Sequence, residues 1–215
     1  MTIRVLIADD HQIVRESLRA LLETEPGITV VGEAGEGRTA LRLTRELLPD
    51  VIIMDVGMPD LNGIEATRQV AAEFPEIKVI ALSMHNDRRF VLNMLKAGAR
   101  GYLLKDCASQ NLLKAIRLVM ANKTYISHEI ADLVVKDYLA TTGPVEESSS
   151  ALLTAREIEV LQLIVEGRTN SKIAEALKVS IKTVESHRHT IMLKLDIKSI
   201  AELTKFAIRE GLTSP

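Results

Sequence analysis

The sequence predicts an α/β protein: a five-stranded, doubly wound parallel sheet over residues 1–122, followed by an all-α, four-helix domain over residues 153–215. Three observations carry this. Short apolar runs alternate five times with stretches of helical periodicity, and consecutive βα units build a parallel sheet because right-handed crossovers return each strand beside an earlier one. The run Val51-Ile52-Ile53-Met54 is apolar without alternation, as in a strand covered on both faces. From Thr154 onward the strand-like runs vanish and the pattern is helical.

Ile3–Ala8 is the first strand and ends on Asp9-Asp10; Ile13, Val14, Leu18, Leu21 and Leu22 then follow at helical spacing. Pro26-Gly27 turns the chain into the second strand, Ile28–Val31. Leu41 to Leu48 lies on a helix closed by Pro49, Val51–Met54 is the third strand, and Ile64 to Phe74 is a helix before Pro75. Val79–Leu82 is the fourth strand, Phe90 to Leu95 a helix stopped by Gly98, Tyr102–Leu104 the fifth strand and Leu112 to Val119 the fifth helix. Residues 123–152 are expected to connect the domains. Tyr125–Leu139 reads as one more helix, with Ile130, Leu133 and Val134 on a face, and Thr141-Thr142-Gly143-Pro144 with Glu146–Ser150 reads as a flexible linker. The four C-terminal helices are marked by a capping box, Thr154-Ala-Arg-Glu157, a stop at Gly167, and N-caps at Ser180 and Ser199.

A chain of 215 residues with 47% hydrophobic content suits two globular domains. No apolar stretch approaches the roughly 20 residues of a membrane span, and Met1-Thr2-Ile3-Arg4 leads directly into a strand, so a cytoplasmic protein without a membrane partner is expected. The single cysteine, Cys107, excludes an intrachain disulfide and receives no role. The 27 basic and 29 acidic residues are unevenly spread. Residues 1–122 carry 15 and 16, residues 123–152 carry 2 and 5, and residues 153–215 carry 10 and 8, so only the tail leans basic.

With strand order 2-1-3-4-5, the first and third strands flank the switch point where open α/β sheets bind ligands, and Asp9, Asp10 and Asp55 converge there. Three adjacent carboxylates repel one another, and a hard divalent cation such as Mg²⁺ relieves them. An aspartate so placed can accept a phosphoryl group if a metal and a fixed cation neutralise its oxygens. Lys105, ending the fifth strand, supplies such a cation; Ser83, ending the fourth, supplies a hydroxyl; the Gly57 carbonyl is placed to face a metal. Taken singly, Asp9 or Asp10 reads as a helix N-cap, Ser83 as a turn residue, Lys105 as a solvated end, and Gly57 and Pro59 as strand breakers. Their coincidence at four strand ends favours the site.

Asp9-Asp10, Met54-Asp55-Val-Gly-Met-Pro59 with Asn62-Gly63, Leu82-Ser83 and Gly98-Ala-Arg-Gly-Tyr-Leu-Leu-Lys105 resemble a response-regulator receiver domain over about the first 122 residues. The resemblance implies a flavodoxin-like fold, phosphorylation of Asp55 by a histidine kinase, and Mg²⁺ held by Asp9 or Asp10, Asp55 and the Gly57 carbonyl. It also implies that Ser83 and Lys105 contact the phosphoryl group and that Tyr102 occupies the aromatic switch position. From residue type alone, Tyr102 reads equally well as a half-buried strand residue.

In the tail, Ile173, Ala174 and Leu177 form a short apolar face, Lys178-Val179-Ser180 is a three-residue turn, and Val184, Ile191 and Leu195 mark a longer helix: helix-turn-helix spacing. The second helix offers Lys182, Thr183, Glu185, Ser186, Arg188 and His189, a set able to meet phosphates and base edges, or else an ordinary solvated face. Leu153-Thr-Ala-Arg-Glu-Ile-Glu-Val-Leu161, Gly167-Arg-Thr-Asn170, Ile173-Ala174, Val184-Glu-Ser-His187 and Lys194-Leu195 resemble a LuxR-type DNA-binding domain, and the whole chain is similar to NarL/FixJ-family response regulators. This implies that Val184 and His187 belong to the recognition helix, with Glu185, Ser186 and His189 facing bases and Lys182, Thr183 and Arg188 facing the backbone of double-stranded promoter DNA. The last helix, with Leu203, Phe206 and Ala207, reads as core, and the resemblance adds that it pairs two copies into a homodimer on phosphorylation. Two residues depart from the family: Thr190 stands for the usual asparagine, and Lys172 for the glutamate that would close the capping box begun by Thr169. Lysine there can reach a phosphate. A phosphatase on the same sheet is disfavoured because Gly57, not a second carboxylate, lies two residues beyond Asp55. A regulator independent of phosphorylation is disfavoured because every pocket residue is present; the only chemistry expected is Mg²⁺-dependent gain and loss of a phosphoryl group at Asp55.

Overall fold

A computed structural model describes residues 2–84, 88–128, 130–132, 152–210, 212 and 213. The chain forms two compact units, Met1–Pro144 and Val145–Pro215. The first contains β1 (Ile3–Ala8), α1 (Gln12–Glu23), β2 (Ile28–Ala34), α2 (Gly37–Leu47), β3 (Val51–Asp55), α3 (Gly63–Glu73), β4 (Lys78–Ser83), α4 (Arg88–Ala97), β5 (Gly101–Leu104), a 3₁₀ turn at Lys105–Cys107, α5 (Ala108–Met120) and β6 (Tyr125–Ile126). All strands are parallel, in the order β2-β1-β3-β4-β5-β6.

The lack of alternation in β3 has its reason in the packing, since every β3 residue is buried. Val51 and Ile53 face a cluster with Leu18 and Leu22 of α1 and Leu112 and Ile116 of α5. Ile52 and Met54 face the opposite cluster, with Leu41 of α2 and Val70 of α3. Each such fully buried aliphatic side chain contributes about 1.5–3 kcal/mol. This two-sided burial fixes where β1 and β3 stop: Ala8 pairs with Met54, so Asp9 and Asp55 emerge side by side at the carboxyl edge. Gly98 ends α4 at φ +111°, a left-handed value that glycine adopts without strain, and a Cβ there would lie 2.6 Å from Ala71 Cβ.

The sheet has six strands where the sequence suggests five, and Tyr125–Ile126 is strand where a helix is expected. Without these residues β5 would be an open edge. Tyr125 N–H donates to Arg100 O at 2.9 Å and Ser127 N–H to Tyr102 O at 3.2 Å, closing that edge with two β-prone side chains. Helix begins at His128, and Ile130 is buried. Leu133 and Val134, and the linker expected over 141–150, lie outside the described residues.

The second unit contains α6 (Ala155–Val165), α7 (Asn170–Leu177), α8 (Ile181–Leu195) and α9 (Ile200–Arg209). Thr154, Thr169, Ser180 and Ser199 each cap a helix by accepting from the backbone N–H three residues on. Val160, Leu161, Ile173, Val184, Ile191 and Leu203 meet in one core. Leu203, Phe206 and Ala207 are spent in that core. The side of α9 open to solvent carries Ile200, Ala201, Glu202 and Lys205 instead.

Candidate functional site

The carboxyl edge of the first sheet gathers the predicted pocket. Asp9 and Asp55 are 1% and 4% exposed, and Lys105 Nζ lies between them, 2.8 Å from Asp9 Oδ2 and 2.9 Å from Asp55 Oδ2. Ser83 is buried at the end of β4, one residue beyond Leu82, the partner of Asp55. Gly57 N–H donates to Asp55 Oδ1 at 3.3 Å. Asp10 is exposed at the rim, and an oxygen of it joins one donor atom each from Asp9, His11 and Asp55 within 4.8 Å of one another.

Neither Asp9 nor Asp10 caps α1. The N-cap residue is His11, without a side-chain cap, and Asp9 Oδ1 instead accepts from His11 N–H at 2.9 Å. The loop after Asp55 is shaped by α3. Asn62 caps that helix through Glu65 N–H at 2.9 Å, while Gly63 N–H donates to Val56 O at 3.0 Å. A Cβ on Gly63 would fall 1.9 Å from Asp55 O, so only glycine lets α3 begin against the end of β3.

Burial pushes the Asp55 carboxyl above its ordinary pKa, Lys105 and Gly57 N–H pull against that, and Asp10 adds a small push upward. Burial also acts against the Lys105 charge, but Asp55 and Asp9 outweigh it and raise the ammonium above its usual value. An ammonium group thereby stands beside the Asp55 carboxyl. For a hard divalent ion the donor set is suitable: carboxylate oxygens of Asp9, Asp10 and Asp55, from two strand ends, lie within 4.8 Å of one another. The pocket can therefore hold a cation and place a phosphoryl group against Asp55, Lys105 and Ser83.

Tyr102, on β5, is completely buried, not half-buried. It packs with Phe90, Val91 and Met94 of α4 and with Ile130, and its backbone pairs with Ile126.

In the second unit, Lys172, Lys182, Glu185, Ser186 and His189 are exposed, and Thr183 and Arg188 are half-buried. The Thr183 hydroxyl lies 2.8 Å from Ser180 Oγ at the start of α8. Val184 points into the core, His187 is half-buried, and the Thr190 hydroxyl donates to Ser186 O at 3.0 Å, within the helix. At α7, Thr169 still accepts from Lys172 N–H, at 3.4 Å, so the cap survives the missing glutamate in weakened form.

Two features escape the sequence reading. His11 joins the carboxylates, and its position directly after Asp9-Asp10 was the available signal. Glu157, 5% exposed, both completes its capping box and accepts from Lys194 Nζ at 2.7 Å, tying the start of α6 to the last turn of α8. Burial disfavours its charge, yet Lys194 and Thr154 together hold its carboxyl below the usual range.

Residues 5–117 match the family described as response regulator receiver domain, and residues 151–207 match bacterial regulatory proteins of the luxR family. Response regulator UvrY of Escherichia coli K12 is 40% identical over 210 residues, covering 98% of this chain and 95% of the relative. Transcriptional regulatory protein DegU of Brevibacillus brevis is 36% identical, covering 97% and 94%. Among solved structures, RcsB of Salmonella enterica serovar Typhimurium, bound to promoter P1flhDC in the presence of the phosphomimetic BeF3-, has 28% identity and a TM-score of 0.62, covering 99% of this chain and all of that one.

Proposed function

The chain belongs to the two-component response regulators that join a receiver domain to a LuxR-type DNA-binding domain, and from that premise we propose that phosphorylation of Asp55 by a histidine kinase controls its dimerisation and sequence-specific binding to promoter DNA. The observation that carries this reading is Lys105 Nζ held between the buried carboxylates of Asp55 and Asp9. An Asp55 oxygen forms a bond to the phosphorus of a phosphohistidine on the kinase as the P–N bond breaks, and the departing imidazole nitrogen takes a proton. Lys105 and the Ser83 hydroxyl receive the phosphoryl oxygens, and Tyr102 responds to the change at Ser83. Asp9, Asp10, Asp55 and the Gly57 carbonyl would hold Mg²⁺, which neutralises phosphoryl oxygens when bound. Chemistry is confined to Mg²⁺-dependent gain and loss of this group.

Within the proposed domain limits, 1–122 for the receiver, 123–152 for the connection and 153–215 for DNA binding, α8 is the recognition helix. Lys172, Lys182, Thr183 and Arg188 meet phosphates; Glu185, Ser186 and His189 meet base edges. The RcsB structure, which covers 99% of this chain, is a complex with promoter DNA, which supports this use of α8. Among the described residues no helix is long and apolar enough to cross a membrane, and a cytoplasmic location belongs to the same proposal.

The test is intact mass of the wild type and Asp55→Asn after incubation with Mg²⁺ and a small acyl phosphate, followed by DNA binding with and without the modification. One phosphoryl group on the wild type alone, with tighter promoter binding, is expected. Labelling of both proteins, or of neither, would overturn the assignment of Asp55.

A further inference from the structure

We propose that His11 is a nitrogen ligand of the cation site, so that the pocket binds a first-row divalent transition ion such as Mn²⁺ more tightly, relative to Mg²⁺, than three carboxylates alone would. The inference rests on the reading of this pocket as a cation site.

His11 stands at the head of α1 in extended backbone, φ −84° and ψ 110°, with its N–H tied to Asp9 Oδ1. Its side chain caps nothing. It turns to the carboxylates, with Nδ1 2.6 Å from Asp10 Oδ1 and 3.3 Å from Asp9 Oδ1. Donor atoms of Asp9, Asp10, His11 and Asp55 all lie within 4.8 Å of one another. Around a metal with bonds of about 2.1 Å, ligand atoms stand about 3 Å apart in cis and about 4.2 Å in trans, so small closing movements suffice. The imidazole side chain is 65% exposed, so water can serve its other nitrogen once Nδ1 turns its lone pair to the ion. Mg²⁺ gains little from this donor, because it prefers oxygen and gives up water reluctantly, whereas transition ions accept imidazole well.

The experiment titrates the full-length protein with Mn²⁺, followed by electron paramagnetic resonance, with Mg²⁺ as competitor, for wild type, His11→Ala, His11→Asn and Asp55→Asn. In wild type, pulsed spectra are expected to show coupling to a directly bound ¹⁴N. In His11→Ala that coupling is lost and Mn²⁺ affinity falls about 10-fold or more, while Mg²⁺ affinity changes less than about 3-fold. His11→Asn, which keeps an oxygen near the Nδ1 position, loses the coupling and retains Mg²⁺. Should Mg²⁺ displace Mn²⁺ while the coupling is absent, or survives in His11→Ala, and the Mn²⁺ to Mg²⁺ ratio stays constant, His11 lies outside the coordination sphere and the inference is overturned. Should neither ion bind with any dependence on Asp55, the cation site itself falls and the inference falls with it.

Discussion

Lys105→Met removes one charge from between two buried carboxylates and leaves the volume nearly unchanged. Asp9 and Asp55 then face each other without their shared cation, which lies under 3 Å from both and is only 8% exposed at its side chain. Breaking a buried pair of this kind costs about 3–5 kcal/mol while the stranded carboxylates stay ionised. They need not stay so. An adjacent cation lowers a carboxyl pKa by about 1–3 units, so its loss lifts Asp55 further above a value that burial already raises. A carboxyl whose folded pKa exceeds its unfolded one keeps its stability contribution below the unfolded pKa and loses it as pH rises through the folded pKa. The variant is therefore expected to unfold nearly as the wild type does in mild acid and to fall behind by about 3 kcal/mol above neutrality, with Mg²⁺ narrowing the gap. Tyrosine fluorescence during urea unfolding reports on the receiver, since Tyr102 and Tyr125 lie in the first unit, residues 153–215 contain no tyrosine and the chain has no tryptophan. A stability difference that is the same at both pH values would refute the account of Asp55 as a buried carboxyl governed by Lys105.

Gly63→Ala drives a methyl into Asp55 O and is expected to destabilise the receiver by about 1–3 kcal/mol and slow its phosphorylation; unchanged labelling would show that the α3 start does not shape the pocket. Glu157→Gln loses the Lys194 pair, worth about 1 kcal/mol after allowing for the solvent that reaches Lys194, and amide exchange in α8 should accelerate. Because the folded Glu157 pKa is lowered, its stabilisation is present above the unfolded pKa and lost as pH falls through the folded one, so the variant's deficit should vanish in acid. Lys182→Ala should weaken DNA binding evenly across sequences and reduce the salt slope by about 1, whereas Glu185→Gln should raise non-specific affinity and narrow the ratio of specific to non-specific binding. Fluorescence anisotropy over a salt series distinguishes these outcomes.

The fold was legible because burial wrote it into single segments: β1, β3 and β4 are apolar runs, and polar groups stand where such runs leave the core. Convergence of Asp9, Asp55 and Lys105 follows once strand order is known. Most of what escaped had no local signal. Tyr125–Ile126 is too short to show a period, and its strand character comes from the unpaired edge of β5, more than 20 residues earlier. Glu157 and Lys194 are separated by 37 residues on helices of different spacing, so only packing brings them together. His11 was hidden by its neighbours, since two carboxylates alone account for a cation site, and the burial of Tyr102 depends on partners from α4 and from the segment after β6.

The resting pocket already uses its cation twice, and this limits what a phosphoryl group can gain. On the proposed reading, Lys105 would surrender part of its hold on Asp9 and Asp55 to meet new oxygens, so the energy biasing the receiver would be a difference between old and new pairings. Moving a two-state equilibrium from 1:99 to 99:1 takes about 5.5 kcal/mol, more than one exchanged ion pair supplies. Ser83 and a bound divalent ion would then have to contribute, and the response would be cooperative. Tyr102 offers a route for that cooperation: its ring fills space shared with Phe90, Val91 and Met94, its carbonyl accepts from Ser127, and Ile130 packs into the same cluster. A close-packed cluster of this kind is little compressible and transmits strain from one member to the others. A displaced Tyr102 would disturb α4 and the stretch leaving β6 together, carrying a change at the phosphoryl pocket to the segment that leads toward the second unit.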